Sequence, residues 1–287
     1  MSLEVAVVIV NFNAGAHLRA CVDSVSADLA GMASAILVVD NASTDGSAET
    51  LASVAGVALL RNDSNRGFGA AVNQAAAQTD ARYLWLLNPD CRVGPGTFAR
   101  LSETIAKHQS CAIAAARLLN ADGSVQASAR GEPSAWTGLF GRHGLLTRLL
   151  PRSAAARRNL PAADLVDAGV ESAVVDWVMG ACMLVRRDRF DEVGGFDEGY
   201  FLYWEDADLC RRLRLRGYET RYVPGAEVVH VGAVSAGTRS GLATRAFHRS
   251  AYRYYATHVV TTPWHPARGV ARVALTLRSW WRGGWRR

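Results

Sequence analysis

The chain opens on Val5–Val10, an uninterrupted apolar run rich in β-branched residues. It offers water no polar side, so as a strand it must be covered on both faces. That requirement narrows the fold to a sheet with helices on both sides. The same rhythm continues. His17–Leu29 carries Leu18, Cys21, Val22 and Val25 at helical spacing. Ile36–Val39 reads as strand, Ser43–Val54 as helix, Val57–Leu60 as a short strand and Gly67–Gln78 as an Ala-rich helix. Tyr83–Leu87, Phe98–His108 and Cys111–Ala116 add a strand, a helix and a strand. Such alternation predicts an α/β fold around a parallel sheet.

The rhythm breaks after Leu118. Up to about Val170 the chain holds three of its eight prolines and the cluster Arg152, Arg157, Arg158. Asn120-Ala121-Asp122-Gly123 reads as a hairpin turn. A long irregular stretch in a compact domain is usually a lid or binding loop, so residues 130–170 are expected to be mobile beside the site. Order returns with strand-like Val174–Val185, the short helix Arg187–Val193, the helix Glu205–Arg216 and the strands Tyr218–Val223 and Ala226–Val231. Beyond Gly241 the chain reads as helix and ends in a basic, Trp-rich segment.

The net charge of +6 is unevenly placed: from Leu209 onward fifteen Arg face only Glu219 and Glu227. Lys107 is the only lysine, so a coding preference for Arg contributes, but it leaves the asymmetry unexplained. The basic end implies an anionic partner: phospholipid, nucleic acid or a diphosphate-bearing substrate. Cys21, Cys91, Cys111, Cys182 and Cys210 lack paired spacing, which argues against a disulfide framework or zinc site and for a reducing compartment. No signal-peptide pattern and no apolar stretch of roughly 18 residues occurs. The expected location is cytoplasmic, with peripheral attachment to the inner face of the plasma membrane.

Several polar residues fall where an α/β sheet binds ligands, past the carboxyl ends of buried strands. Asp40 ends the second strand, where an acid can read a ribose or base; an Asx turn or helix cap suits the position equally. Asn65-Arg66-Gly67-Phe68-Gly69 precedes a helix and could approach phosphate, but Val72 breaks the GxGxxG pattern, which disfavours a dehydrogenase. Asp90, in Asn88-Pro89-Asp90, suits Mg²⁺ or Mn²⁺, or forms a simple turn. Glu205 and Asp206 follow the aromatic residues Tyr200, Phe201, Tyr203 and Trp204, a combination suited to carbohydrate. Acids at a helix start are also favoured by its dipole, and Asp208 reads as an ordinary helix acid. His230 ends a strand and becomes a credible ligand once a metal is supposed.

Together these segments resemble the inverting family 2 glycosyltransferases of the GT-A fold, in their bacterial rhamnosyltransferase-like branch. The resemblance runs from Val7–Asn13 through VVDNASTDGS, NRGFGAAVNQ, LWLLNPD, GACMLVRR and GGFDEGYFLYWEDADLCRRL to His230. It implies a Rossmann-like mixed, mostly parallel sheet flanked by helices, with a helical, basic C-terminal extension. The implied catalytic domain is 1–240, with a nucleotide-sugar half (1–117) and an acceptor half (118–240); the extension is 241–287. By the same resemblance Val10, Asn11, Asn13, Asp40, Asn65, Arg66, Gly67, Asn88, Gly180 and Ala181 line the nucleotide-sugar site. Asp90 and His230 hold Mg²⁺ or Mn²⁺, although Asn88 stands where a strict DXD motif has its first Asp. Asp206 is the general base, and Glu205 and Trp204 meet the acceptor. The implied donor is dTDP-L-rhamnose, with a UDP-sugar as alternative, and the implied acceptor is a polyprenyl-diphosphate-linked glycan of cell-wall or O-antigen assembly. Arg268, Arg272, Arg278 and Arg282 interleave with Val270, Val273, Leu275, Leu277, Trp280 and Trp281, which suits an anionic membrane surface or a helix packed on the domain.

Two rivals fit less well. A sugar-1-phosphate nucleotidyltransferase would need a Gly-rich loop after the first strand and catalytic lysines, where this chain has Asn11-Phe12-Asn13 and one lysine. A non-enzymatic nucleic-acid binder would rest on the basic tail alone, with no recognisable binding motif, so nucleic acid is not an expected partner.

Overall fold

The computed structural model describes residues 3–133, 169–232 and 241–283. The Val5–Asn11 run is strand β1, buried at every position. Beside it lie β2 (Ser34–Asp40) and β4 (Tyr83–Leu87), both parallel to it, and β3 (Val57–Arg61) lies parallel beyond β2. Helices α1 (Ala16–Asp28), α2 (Phe68–Ala76) and α3 (Thr97–Lys107) make the crossovers near their expected positions. The alternation along β1 divides the core in two. Val5, Val7 and Ile9 pack with Leu18 and Val22 of α1 and with Phe98 and Leu101 of α3. Ala6, Val8 and Val10 pack on the other face with Ala71, Val72 and Ala75 of α2. Each fully buried large apolar side chain contributes about 1.5–3 kcal/mol, so this two-sided burial locks the register of the strands.

The second half completes the sheet in ways the pattern of residues does not fix. The full order is β3-β2-β1-β4-β10-β6-β11-β5, with β8 (Ala173–Val175) paired to β11. Strand β10 (Cys182–Arg186) inserts antiparallel between β4 and β6 (Cys111–Leu119), so the sheet is mixed rather than purely parallel. The expected Val174–Val185 strand is three pieces: β8, β9 (Trp177–Val178) and β10; β9 pairs instead with β7 (Ala129–Arg130). The two strands expected after Tyr218 are one, β11 (Glu219–His230), with an irregularity between Val223 and Glu227. A short strand, β5 (Cys91–Val93), pairs antiparallel with the end of β11 and was not foreseen. The helix expected over Ser43–Val54 is only a single 3-10 turn, Ala48–Leu51. Asp45 explains the loss: its carboxylate accepts from both the backbone N–H and the hydroxyl of Ser47, an alternative to helical bonding.

Helices α4 (Arg187–Glu192) and α5 (Glu205–Leu215) flank the face opposite α1 and α3 through Phe190, Leu209, Cys210 and Leu213. The chain ends in α6 (Gly241–Tyr254), a π-helical turn (Tyr255–Val259) and α7 (Pro266–Gly283). Tyr254 of α6 is buried with Tyr200 and Ala207 and packs on Trp204, so α6 lies against the start of α5. The 130–170 segment and the cluster Arg152, Arg157, Arg158 lie almost wholly or wholly outside the described residues.

Candidate active site

The polar groups foreseen at the strand ends meet along one rim. Asn11 and Asp40 are register partners at the carboxyl ends of β1 and β2. Asn11 Nδ2 donates to Asp40 Oδ1 at 2.7 Å and lies 3.0 and 2.9 Å from the hydroxyls of Ser43 and Ser47. Asp40 Oδ2 accepts from the Ser43 N–H at 3.3 Å, so the Asx-turn role weighed from sequence is present. Asp40 is only 2% exposed. Asn13, in a left-handed conformation (φ 53°), donates its N–H to Ser43 Oγ and accepts from the Thr44 N–H. Val10 lines the same strand end.

The Asn65–Gly67 segment is tied to this rim by a residue the sequence reading missed. Asn41 Nδ2 donates to the Gly67 carbonyl at 3.1 Å, and Asn62 in turn donates to Asn41. Asn65 Oδ1 caps the Gly67 N–H at 2.9 Å. Gly67 adopts φ 87°, ψ 171°, a conformation essentially reserved for glycine, and a Cβ there would overlap the Phe201 carbonyl oxygen. The same oxygen accepts from the Phe68 N–H at 3.2 Å. Arg66 is exposed, its guanidinium 3.5 Å from Gln74 Oε1, so it can turn toward an anion.

At the end of β4 stands the candidate metal corner. The Asn88 N–H donates to the Ala181 carbonyl at 2.9 Å, which joins the β4 end to the Gly180-Ala181 turn. Asp90 and His230 are both buried, with Oδ1 and Nε2 3.4 Å apart. Asn88 Nδ2 is 3.2 Å from the same imidazole nitrogen. Burial pushes the Asp90 carboxyl up, but its contact with His230 and the N–H groups of Asp90 and Gly232 hold it below the ordinary value. One carboxylate and one imidazole within a shared ligand shell fit a divalent cation whose other positions go to phosphate oxygens and water. Cys91 also lies close, but its thiol is buried, donates to the Ala181 carbonyl and is pushed far up by burial. It fits packing better than ligation.

Across from this corner, helix α5 presents the acid pair. Tyr203 and Trp204 precede it at φ 67° and 72°, a left-handed turn costly for aromatic residues. Asp206 Oδ2 accepts from the Gly180 N–H at 3.0 Å and Oδ1 from the Ala207 N–H at 2.8 Å. Gly180 lies between Asp206 and Phe68, so residues distant in sequence converge. Glu205 is buried, and its Oε2 has no partner among the described residues. Burial, then the charge of Asp206, pushes Glu205 well above the ordinary carboxylate value. Burial also raises Asp206, opposed by the N–H groups of Gly180 and Ala207 and by the charge of Arg130. Asp206 is therefore the better-stabilised anion of the two, and Glu205 the better proton holder.

Asp208 is no ordinary helix acid. It is 1% exposed and bonds Arg212 Nε at 2.7 Å and His258 Nε2 at 2.6 Å, which fastens the C-terminal segment to α5. Trp204 packs on Phe247 and Tyr254, with ring centroids 5.9 and 5.2 Å away, while Phe201 and Tyr203 stay exposed. A separate depression lined by Asp80, Arg82, Arg186 and Asp191 lies at the opposite end of β4. Most of its charges are already paired, Arg82 with Glu4, Arg186 with Asp188 and Arg187 with Asp191.

A mixed sheet with polar groups gathered at the ends of β1, β2 and β4, and an acid pair facing them, has the GT-A glycosyltransferase architecture. Solved structures bear this out for the fold. The chain superposes on GalNAc-T7 with UDP, GalNAc and Mn²⁺ at TM-score 0.62 and 19% identity, over 97% of this chain and 54% of that one. It superposes on the mannosyltransferase PcManGT of Pyrobaculum calidifontis, in complex with GDP-Man and Mn²⁺, at TM-score 0.60 and 15% identity, over 99% and 73%. Residues 6–156 match the model of glycosyl transferase family 2 and residues 154–285 that of glycosyl transferase family group 2, and the chain belongs to family 2. It is 35% identical, over 95% of its length and 91% of the relative's, to N-acetylglucosaminyl-diphospho-decaprenol L-rhamnosyltransferase of Mycobacterium tuberculosis. It is 45% identical to the rhamnosyltransferase WbbL of Escherichia coli K12 over 83 residues, 29% of this chain and 31% of the relative. The chain is thus a glycosyltransferase.

Proposed function

We propose that this chain transfers L-rhamnose from dTDP-L-rhamnose, with inversion, to a sugar carried on a polyprenyl diphosphate. The observation that carries the chemistry is the Asp206 carboxylate, buried and held by the Gly180 N–H, beside the donor rim. Similarity along 95% of the chain to the mycobacterial L-rhamnosyltransferase supports the rhamnosyl group and the polyprenyl-linked acceptor, and the dTDP carrier rests on the family resemblance of the motifs. Asp40 and Asn11 support the nucleoside at the strand ends, while Arg66 and the Gly67 loop lie toward the diphosphate. Asp90 and His230 would hold Mg²⁺ or Mn²⁺, which supplies positive charge to the leaving nucleoside diphosphate. An acceptor hydroxyl attacks the anomeric carbon, its proton passes to Asp206, and the bond from that carbon to the diphosphate oxygen breaks. A single displacement inverts the carbon. Protonated Glu205 donates to an acceptor hydroxyl, and Trp204 flanks the acceptor sugar.

The C-terminal segment suits a lipid-linked acceptor. No helix among the described residues is long and apolar enough to cross a membrane. On α7, Val270, Val273, Leu277, Trp280 and Trp281 are exposed at helical spacing, with Trp264 just before them. After Glu227 the chain has no acid at all. An apolar stripe in an acid-free, Arg-rich surround supports peripheral attachment to an anionic membrane surface, proposed here as the inner face of the plasma membrane. Calorimetric titration with dTDP and with UDP, each with and without Mn²⁺, tests the donor. Metal-assisted preference for dTDP is expected; preference for UDP moves the donor to a hexose, N-acetylhexosamine or galactofuranose.

A further inference from the structure

The Asn120–Gly123 turn has no part in the chemistry above, yet it is built with unusual polar order. The Gly123 N–H donates to the Asn120 carbonyl at 2.9 Å, with Gly123 at φ 82°, so the foreseen hairpin turn is present. Its side chains form a directed series. Asp122, whose carboxyl the Ser124 hydroxyl and N–H hold below its ordinary value, can only accept. Ser124 Oγ therefore donates to Asp122 Oδ1, at 2.6 Å, and must accept from Asn120 Nδ2, at 2.7 Å. That leaves Asn120 Oδ1 as the acceptor facing Gln126 Nε2 at 2.9 Å. The same Gln126 Nε2 donates to the His230 backbone carbonyl at 2.7 Å, a second acceptor-only group. Both contacts give the Gln126 amide one orientation, with Oε1 toward His230 Nδ1 at 2.9 Å.

An imidazole nitrogen facing a carbonyl oxygen must carry the hydrogen. Nδ1 is thereby the donor, and Nε2 is turned to Asp90 Oδ1 and Asn88 Nδ2. A lone pair on Nε2 beside a carboxylate is the arrangement a cation between them requires.

We propose that Gln126, oriented by the Asn120–Ser124 hairpin, is a positioning residue that fixes the His230 tautomer and ring angle so that Nε2 serves as a metal ligand. The inference rests on the metal reading of Asp90 and His230 given above. Removing an outer partner of a metal-bound histidine typically weakens affinity by about 10–100-fold.

The test uses the full chain as wild type, Gln126→Leu and Gln126→Glu. Mn²⁺ is titrated calorimetrically, alone and with dTDP, and the His230 ring nitrogens are observed by ¹⁵N NMR in metal-free protein. His230→Ala identifies the signal. The wild type is expected to bind Mn²⁺ and to show hydrogen on Nδ1. Gln126→Leu should bind Mn²⁺ about 10–100-fold more weakly and show mixed tautomers. Gln126→Glu, which still accepts from Nδ1–H but cannot donate to Asn120 Oδ1 or the His230 carbonyl, should restore the wild-type tautomer and only part of the affinity. Wild-type Mn²⁺ binding with Gln126→Leu within about twofold of it overturns the proposal and leaves the metal reading intact. Absence of Mn²⁺ binding by the wild type overturns the metal reading itself, and with it the ligand role of His230. Hydrogen on Nε2 with none on Nδ1 in the wild type overturns the orienting role directly. A purely structural Gln126 would lower thermal stability in the Leu variant without moving either readout.

Discussion

Gly67 joins the two halves of the site, and replacing it with alanine tests that joint quantitatively. Its φ of 87° and ψ of 171° cost a non-glycine residue about 1–3 kcal/mol. The added Cβ would overlap the Phe201 carbonyl oxygen and lie 3.0 Å from its carbon, both backbone atoms that cannot rotate aside. Relieving the overlap separates the loops and loses the hydrogen bond from the Phe68 N–H to Phe201, about 0.5–1.5 kcal/mol more. The expected loss of stability is about 2–4 kcal/mol. At about 2.1 cal/mol/K per residue, unfolding of 287 residues carries about 0.6 kcal/mol/K, so the melting temperature should fall by about 3–7 °C. Gly46→Ala is the control: Gly46 also has positive φ (76°), but a Cβ there meets nothing within 4 Å. Urea unfolding of both variants, read as a shift of midpoint at constant slope, separates the close approach from the torsional cost. Equal destabilisation by the two substitutions would refute the view that contact between the Gly67 loop and Phe201 constrains this position.

Two further outcomes concern the acid pair. Asp206→Asn should keep nucleoside diphosphate binding and lose transfer by about two to four orders of magnitude, measured by single-turnover product formation. Near-wild-type turnover would remove Asp206 from the proton transfer. Glu205 and Asp206 are both raised by burial, so the folded state disfavours their ionised forms. The stability this confers is fully present below the unfolded carboxylate range and is lost as pH rises through the raised folded values. Glu205→Gln should therefore be more stable than wild type at neutral pH, with the advantage vanishing at acidic pH. The wild-type rate should rise with pH as the pair loses its first proton, and a flat profile would count against an ionising base.

The first half of the sheet was readable because strands buried on both faces announce themselves as continuous apolar runs. Val5–Asn11 and Tyr83–Leu87 fall within a residue of expectation, and Asp40 and Asp90 stand at or just past the ends of β2 and β4. What failed was direction and partnership. Nothing in Cys182–Arg186 shows that it runs antiparallel between β4 and β6, since periodicity reports burial and not polarity. Cys91–Val93 is too short to carry a pattern, and Pro224-Gly225 reads as a break although β11 passes through it with an irregularity. At the site, the carboxylates were legible from strand-end position, whereas Asn41, Gln126 and the Asp208–His258 pair reach the site through partners 26 to 104 residues away. A turn residue such as Gln126 carries no local mark of the histidine it faces.

The C-terminal segment combines two roles that the Arg-apolar pattern alone presents as alternatives. Helix α6 and the turn after it grip the segment from Asp197 to Asp208: Ser250 donates to the Leu202 carbonyl, Arg253 makes a forked pair with Asp197, Tyr254 packs on Trp204, and His258 meets Asp208. These contacts surround Tyr203 and Trp204, whose left-handed conformations need support from outside the loop. Helix α7 instead turns its Val270–Trp281 stripe to solvent. Deleting 266–287 should therefore abolish sedimentation with anionic vesicles while leaving transfer to a short, water-soluble acceptor within about threefold of wild type, since none of the loop contacts is lost. Deleting 241–287 should remove both, because the strained turn that aims Glu205 and Asp206 loses its backing. Full activity of the longer deletion on the soluble acceptor would show that the turn holds itself, and would reduce the whole C-terminal segment to a membrane tether.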